Sequence, residues 1–77
     1  MSDNLFLKSI GARIKQIRRE KNISQTDLAL ACKFEKASMS RLEAGMTNPT
    51  VLTLQKVSGA LKVPVRDFFI ESPEAIA

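Results

Sequence analysis

A chain of 77 residues with four Phe and no Trp or Tyr has room for one domain with a simple core, since a domain of this size buries only about 60% of its unfolded surface. The formal charge of +4 and a pI near 9.7 favour an anionic partner. A single cysteine excludes an intramolecular disulfide, and the lack of any histidine beside it argues against a structural zinc site, so neither metal nor cofactor is expected.

The first residues, Met1 to Asn4, are polar and expected to fray. From Leu5 to Lys21 the apolar residues Phe6 or Leu7, Ile10, Ile14 and Ile17 recur at spacings of four and three, the mark of an amphipathic helix packed on one side. Asn22 tolerates a left-handed C-cap and ends this helix, and Ile23 then turns inward. Six basic residues (Lys8, Arg13, Lys15, Arg18, Arg19 and Lys21) fall on the stretch against one acid, Glu20. Such a helix is either a wall facing phosphate or a solvated face balanced by acids elsewhere.

The stretch SQTDLALACKFEKASMSRLEAG, Ser24 to Gly45, reads as two short helices joined by a turn. Ser24 is an N-cap whose hydroxyl can accept from the Asp27 backbone N–H, and Asp27 can reach back as a short capping-box acid, so the second helix begins at Gln25. Leu28, Ala29 and Cys32 share its buried face, with Ala29 small enough for close approach and Cys32 acting as a small buried hydrophobe. The turn covers Cys32 to Phe34. The third helix runs from about Lys36 to Ala44, with Met39 and Leu42 inward and Gly45 as a left-handed stop. At ~100° per residue the outward arc carries Lys36, Ala37, Ser40, Arg41 and Ala44. A face so small, polar and basic can enter a major groove ~12 Å wide, where Lys and Arg donate to guanine. The alternative is an ordinary solvated helix face.

Met46 to Pro49 is a loop containing the turn dipeptide Asn48-Pro49. Thr50 caps a fourth helix over Val51 to Leu61, with Val51, Leu54, Val57 and Leu61 inward and Leu52 and Gly59 off that face. Val63-Pro64 opens a last short helix. Phe68, Phe69 and Ile70 are three consecutive apolar residues that a short helix cannot bury alone, and one of the two phenylalanines is expected to complete the core. Pro73 breaks any continuation, leaving an ordered core of about 5–70 in a single domain over 1–77. The expected class is all-α, a compact five-helix domain.

The blocks IGARIKQIRREKNISQTDLA (Ile10 to Ala29), SMSRLEAG (Ser38 to Gly45), NPTVLTLQKVSGAL (Asn48 to Leu61) and VPVRDFF (Val63 to Phe69) together resemble the Cro/phage-repressor-like helix-turn-helix regulators of the XRE family. The resemblance implies a five-helix DNA-binding domain, commonly dimeric, whose second and third helices carry the motif. It implies an ion pair between Arg18 and Glu43 joining the first helix to the third, the alternative being two surface charges worth ~0–1 kcal/mol. It also implies that Gln25 holds a phosphate, and that the loop at Thr47 and Asn48 touches phosphate through side chains and free backbone N–H groups. Two positions depart from the family pattern: Lys33 stands where a turn glycine is common, and Glu35 where Ser or Thr often caps the third helix. A non-glycine residue in a left-handed turn costs ~1 kcal/mol, and Glu35 suits the helix dipole but repels a nearby phosphate.

An enzyme is the weakest reading: there is no histidine to act as base, no GxxxxGK loop, and the acids Asp27, Glu35, Glu43 and Asp67 are accounted for by caps, dipoles or the ion pair. No signal-peptide pattern and no apolar run of the ~18 residues a membrane span needs are present, so the cytoplasm is the expected compartment. The leading expectation is a sequence-specific regulator of double-stranded DNA. Its DNA contacts would be Gln25, Lys36, Ala37, Ser38, Ser40, Arg41, Thr47 and Asn48. It would act as a homodimer through Leu52, Gly59, Phe68, Phe69 and Ile70, with no small-molecule ligand. The rival is an antitoxin or adaptor whose main partner is another protein; the eight residues past Phe69 are short for a segment that must wrap one.

Overall fold

Three isoleucines one turn apart, Ile10, Ile14 and Ile17, are buried along one side of α1 (Asp3–Glu20) and set the floor on which the other elements pack. The computed structural model describes residues 3–69. After α1 come α2 (Gln25–Cys32), α3 (Lys36–Glu43), α4 (Val51–Leu61) and a 3-10 helix over Val65–Phe69, with no strand among the described residues. The class is all-α. The fifth element, expected as a short helix opened by Val63-Pro64, is a 3-10 stretch of five residues in which the Asp67 N–H closes onto the Pro64 carbonyl at 3.0 Å. Ile70, expected in the apolar cluster, lies outside the described residues, as does the tail that follows it.

The helix ends follow local chemistry. Thr50 Oγ1 accepts from the Thr53 N–H at 3.1 Å and starts α4. Asn22 and Lys62 take left-handed φ values of 59° and 60° after α1 and α4, and Gly45 does the same (φ 74°) after α3. Phe68, Ile14, Leu28, Met39, Leu61 and Val57 are the largest fully buried side chains, so every element contributes to one core. Phe68 is the phenylalanine that completes it, and Leu7 rather than Phe6 is the half-buried residue at the start of α1.

Val51, expected inward, is 77% exposed. Its edge of α4 is correct, because Ser58, two turns further along it, is buried with its hydroxyl donating to the Gln55 carbonyl at 2.9 Å. As the first helical residue, however, Val51 overhangs the end of the core.

Gly11 lets two backbones meet. A Cβ there would lie 2.5 Å from the carbonyl oxygens of both Leu42 and Glu43, so α1 crosses the C-terminal end of α3 with nothing between them. The same crossing places the backbone of Lys8 against Gly45, where a Cβ would sit 2.5 Å from the Lys8 Cα. The last turn is tied to α1 as well: Arg13 Nε donates to the Asp67 carbonyl at 2.9 Å.

Candidate nucleic-acid interface

The unit formed by α2 and α3 is built from its turn outward. Ser24 Oγ accepts from the Asp27 N–H at 3.0 Å, while the return arm from the Asp27 carboxylate does not form among the described residues. At the other end of α2, Lys33 is left-handed (φ 59°, ψ 38°). The Phe34 N–H reaches the Ala29 carbonyl at 2.8 Å and the Lys33 N–H reaches Leu30 at 3.1 Å. These two bonds make a Schellman stop, with Phe34 packed on the core as its apolar partner. Glu35 is the N-cap of α3 in backbone shape (φ −72°, ψ 149°) but makes no side-chain cap bond.

Met39, Leu42 and Glu43 bury one side of α3, and Lys36, Ala37, Ser38, Ser40 and Arg41 are exposed on the rest of it. Arg41 and Ser38 line a cleft of about 330 Å³ with Thr47, Asn48, Thr50 and Thr53, floored by Phe34, Leu42 and Pro49. The loop is held against the helix because the Met46 N–H donates to the Arg41 carbonyl at 2.9 Å. Thr47 is half-buried and Asn48 exposed. These residues thus share one side of the molecule.

Gln25, the first residue of α2, is half-buried beside them and joins a buried ion pair. Arg18 Nε donates to Glu43 Oε2 at 2.7 Å and Arg18 Nη2 to Glu43 Oε1 at 3.0 Å, with side-chain exposures of 9% and 3%. Gln25 Nε2 donates to the same Oε1 at 3.1 Å, and Arg18 Nη1 to the Ile23 carbonyl at 2.9 Å. One carboxylate therefore collects bonds from α1 and α2 while standing on α3. Sequence reasoning missed the link between Gln25 and Glu43, because nothing in helical spacing connects residues 18 apart.

The basic residues of α1 divide into two kinds. Arg18 is buried, and Arg13 holds Asp67 and donates to Gln16 Oε1 at 3.1 Å. Lys8, Arg19 and Lys21 are exposed and Lys15 half-exposed. Outside α3 and its loop, Leu52 is 68% exposed and Phe69 45%, the latter stacked on exposed Phe6 with ring centroids 6.1 Å apart. Phe68, with no exposure, is not available to a partner. Cys32 is buried, and burial pushes its thiol pKa up, opposed in part by the charge of Lys56. Among the described residues no three His, Cys, Asp or Glu side chains gather as a metal site would need, and no helix is long and apolar enough to cross a membrane.

Known proteins carry the same pattern. The family model HTH_3, helix-turn-helix, matches residues 14–68. The HTH-type transcriptional regulator SinR of Bacillus subtilis is 41% identical over 66 residues, which are 84% of this chain and 60% of SinR, so the chain spans less than two thirds of that relative's length. Control protein C.BamHI of Bacillus amyloliquefaciens is 35% identical over 68 residues, 87% of this chain and 83% of its own. Among solved structures, the biofilm master regulator SinR in complex with DNA superposes with a TM-score of 0.74 at 40% identity, covering 79% of this chain and 98% of that one. A match that spans the turn, the ion pair and the last core residue leaves one assignment: the chain belongs to the helix-turn-helix family of XRE, Cro/C1 type.

Proposed function

We propose that the chain is a sequence-specific double-stranded DNA-binding transcriptional regulator, acting in the cytoplasm as a dimer on palindromic operators. In this reading α2 and α3 are the helix-turn-helix, and residues 1–77 work as one DNA-binding domain. The observation that carries the reading is the exposed face of α3: Lys36, Ala37, Ser38, Ser40 and Arg41 stand clear of the core on a helix whose other side is locked to α1. Lys36 and Arg41 would donate to base edges, and Ala37 would meet a thymine methyl. Gln25, Thr47 and Asn48 would fix the register on phosphates. Regulation would follow the protein's own concentration, as in an autoregulated phage-type repressor or a restriction-modification controller. Catalysis has no place in this reading.

Pairing is supported by arithmetic and by two surface features. One recognition helix reads too few base pairs to select a site in a genome, and two copies place theirs ~34 Å apart, one DNA turn. Leu52 and Phe69 are exposed outside α3, and Gly59 opens onto space with nothing within 4 Å of a Cβ. A glycine in a helix costs up to ~1 kcal/mol against alanine and nothing within 4 Å of Gly59 requires it, whereas a second copy of α4 could approach closely there. Leu52, Gly59 and Phe69, with Ile70 beyond them, are therefore the proposed interface. Selection of bound duplexes from a random pool tests the whole: a recovered palindrome is expected, and enrichment of single half-sites, or no enrichment, would sink the proposal.

A further inference from the structure

We infer that Glu43 is a positioning residue, and that the buried Arg18–Glu43 pair serves to aim the Gln25 amide at the DNA backbone more than to stabilise the fold. The inference rests on the DNA-binding reading above. Its starting point is the cost of the pair. Two charges nearly removed from water lose hydration that their mutual attraction only about repays, and apolar side chains of similar volume usually fill such a site at no loss of stability. An apolar pair could not supply two further bonds, from Arg18 Nη1 to the part-buried Ile23 carbonyl at 2.9 Å and from Gln25 Nε2 to Glu43 Oε1 at 3.1 Å, and of these the second involves a side chain on the DNA-facing side.

That bond decides which way the amide faces. An ionised carboxylate only accepts, so Gln25 must turn its NH2 group inward and cannot flip. One Nε2 hydrogen and the Oε1 remain for the surface. Beside them the Gln25 and Thr26 backbone N–H groups have no intrahelical acceptor, and Ser24 Oγ is already taken by Asp27. A freely rotating glutamine would have to be turned by the phosphate itself, at a cost in side-chain freedom. The clamped one keeps a donor at the positive end of α2, where an anion is favoured. Because the same carboxylate is fixed on α3 and held from α1, the amide is also placed relative to the base-reading face.

The test is a cycle in the full chain: Gln25→Ala, the pair Arg18→Met with Glu43→Leu, and all three together. Each is measured by urea unfolding and by binding to the operator duplex recovered by selection, with a scrambled duplex of equal length as control. The expected result is that the apolar pair unfolds at or above the wild-type midpoint and binds the operator about tenfold more weakly, the loss of one charge-assisted hydrogen bond. Gln25→Ala alone should lose as much, and adding it to the apolar pair should lose nothing more. Wild-type binding by a folded apolar pair, or losses that multiply in full, would overturn the inference. If the apolar pair fails to fold, the claim about stability is wrong. Positioning is then decided by Glu43→Asp, which keeps the charge but draws it back by one methylene from Arg18 and Gln25 alike: a loss that adding Gln25→Ala does not deepen retains it, and unchanged binding, or a loss that Gln25→Ala deepens in full, removes it. Failure of the parent reading looks different, since wild type itself would then bind operator and scrambled duplex alike, while the protection of the Gln25 side-chain NH2 signal in NMR would still report whether Glu43 holds it.

Discussion

Two glycines sit inside helices of this fold, and replacing each by alanine should move stability in opposite directions. In both α1 and α4 the change from Gly to Ala gains about 1 kcal/mol of helix propensity. At Gly59 nothing lies within 4 Å of the new Cβ, so the gain stands and the melting temperature should rise by about 4–8 °C. At Gly11 the new Cβ would lie 2.5 Å from two carbonyl oxygens, Leu42 and Glu43, and 2.8 Å from the Glu43 carbonyl carbon. An ordinary contact needs ~3.5 Å, so α1 and α3 must part by ~1 Å, which forfeits up to half of the dispersion energy of each contact across that seam. The atoms are backbone and cannot rotate away, which puts the strain near the upper end of the 1–3 kcal/mol typical of overpacking, about 3 kcal/mol. The net for Gly11→Ala is then a loss of about 2 kcal/mol and a melting temperature lower by roughly 8–16 °C. Both variants should be melted and titrated with urea beside wild type at several protein concentrations, so that any effect of association at Gly59 is separated. A Gly11→Ala protein as stable as wild type would refute the reasoning, because it would mean that the two backbones are not in contact.

Three further outcomes are expected. Lys33→Gly should raise the unfolding free energy by about 0.5–1 kcal/mol, read as a higher urea midpoint at unchanged m, since relief of the left-handed strain at φ 59° exceeds the added chain entropy; a fall in the midpoint would show that the lysine side chain contributes to the turn. Arg41→Ala should cost ~1–3 kcal/mol on the best duplex and relax preference at one base position, whereas equal weakening on every sequence would make Arg41 a phosphate contact. Leu52→Glu, followed by sedimentation across micromolar concentrations, should give a folded monomer with much weaker operator binding, and normal dimerisation would move the interface elsewhere.

The helices were legible because their signals are local. Ser24 and Thr50 are caps whose hydroxyls each meet the N–H three residues on, and the isoleucine spacing of α1 needs no knowledge of what it packs against. Periodicity failed where position along the element mattered more than angle around it. Val51 lies on the correct edge of α4 but beyond the end of the core, and the short helix after Pro64 is of the tighter 3-10 kind, which apolar spacing over so few residues does not distinguish. Whether Phe68 or Phe69 belonged to the core depended on the direction in which that turn leaves Pro64, which only the assembled fold reveals. At the candidate site, the exposed arc of α3 came from the wheel, whereas the pairing of Arg18 with Glu43 came from resemblance alone. The Gln25 bond was out of reach of either, because an amide at a helix start carries no mark of its acceptor 18 residues away.

The placement of Phe68 also bears on when the protein becomes competent during synthesis. The largest fully buried side chain is the next to last described residue, and the turn that carries it is tied by Asp67 to Arg13, 54 residues earlier. A nascent chain that has emerged only as far as Lys62 already possesses α2 and α3, but it has a hole in place of an aromatic ring, and removing such a ring costs about 3–5 kcal/mol from a total of about 5–15 kcal/mol. Its helices would form and re-form without settling on one packing, and the face of α3 would not be held against α1. Folding is thereby deferred until the turn that carries Phe68 has been made and can close onto α1.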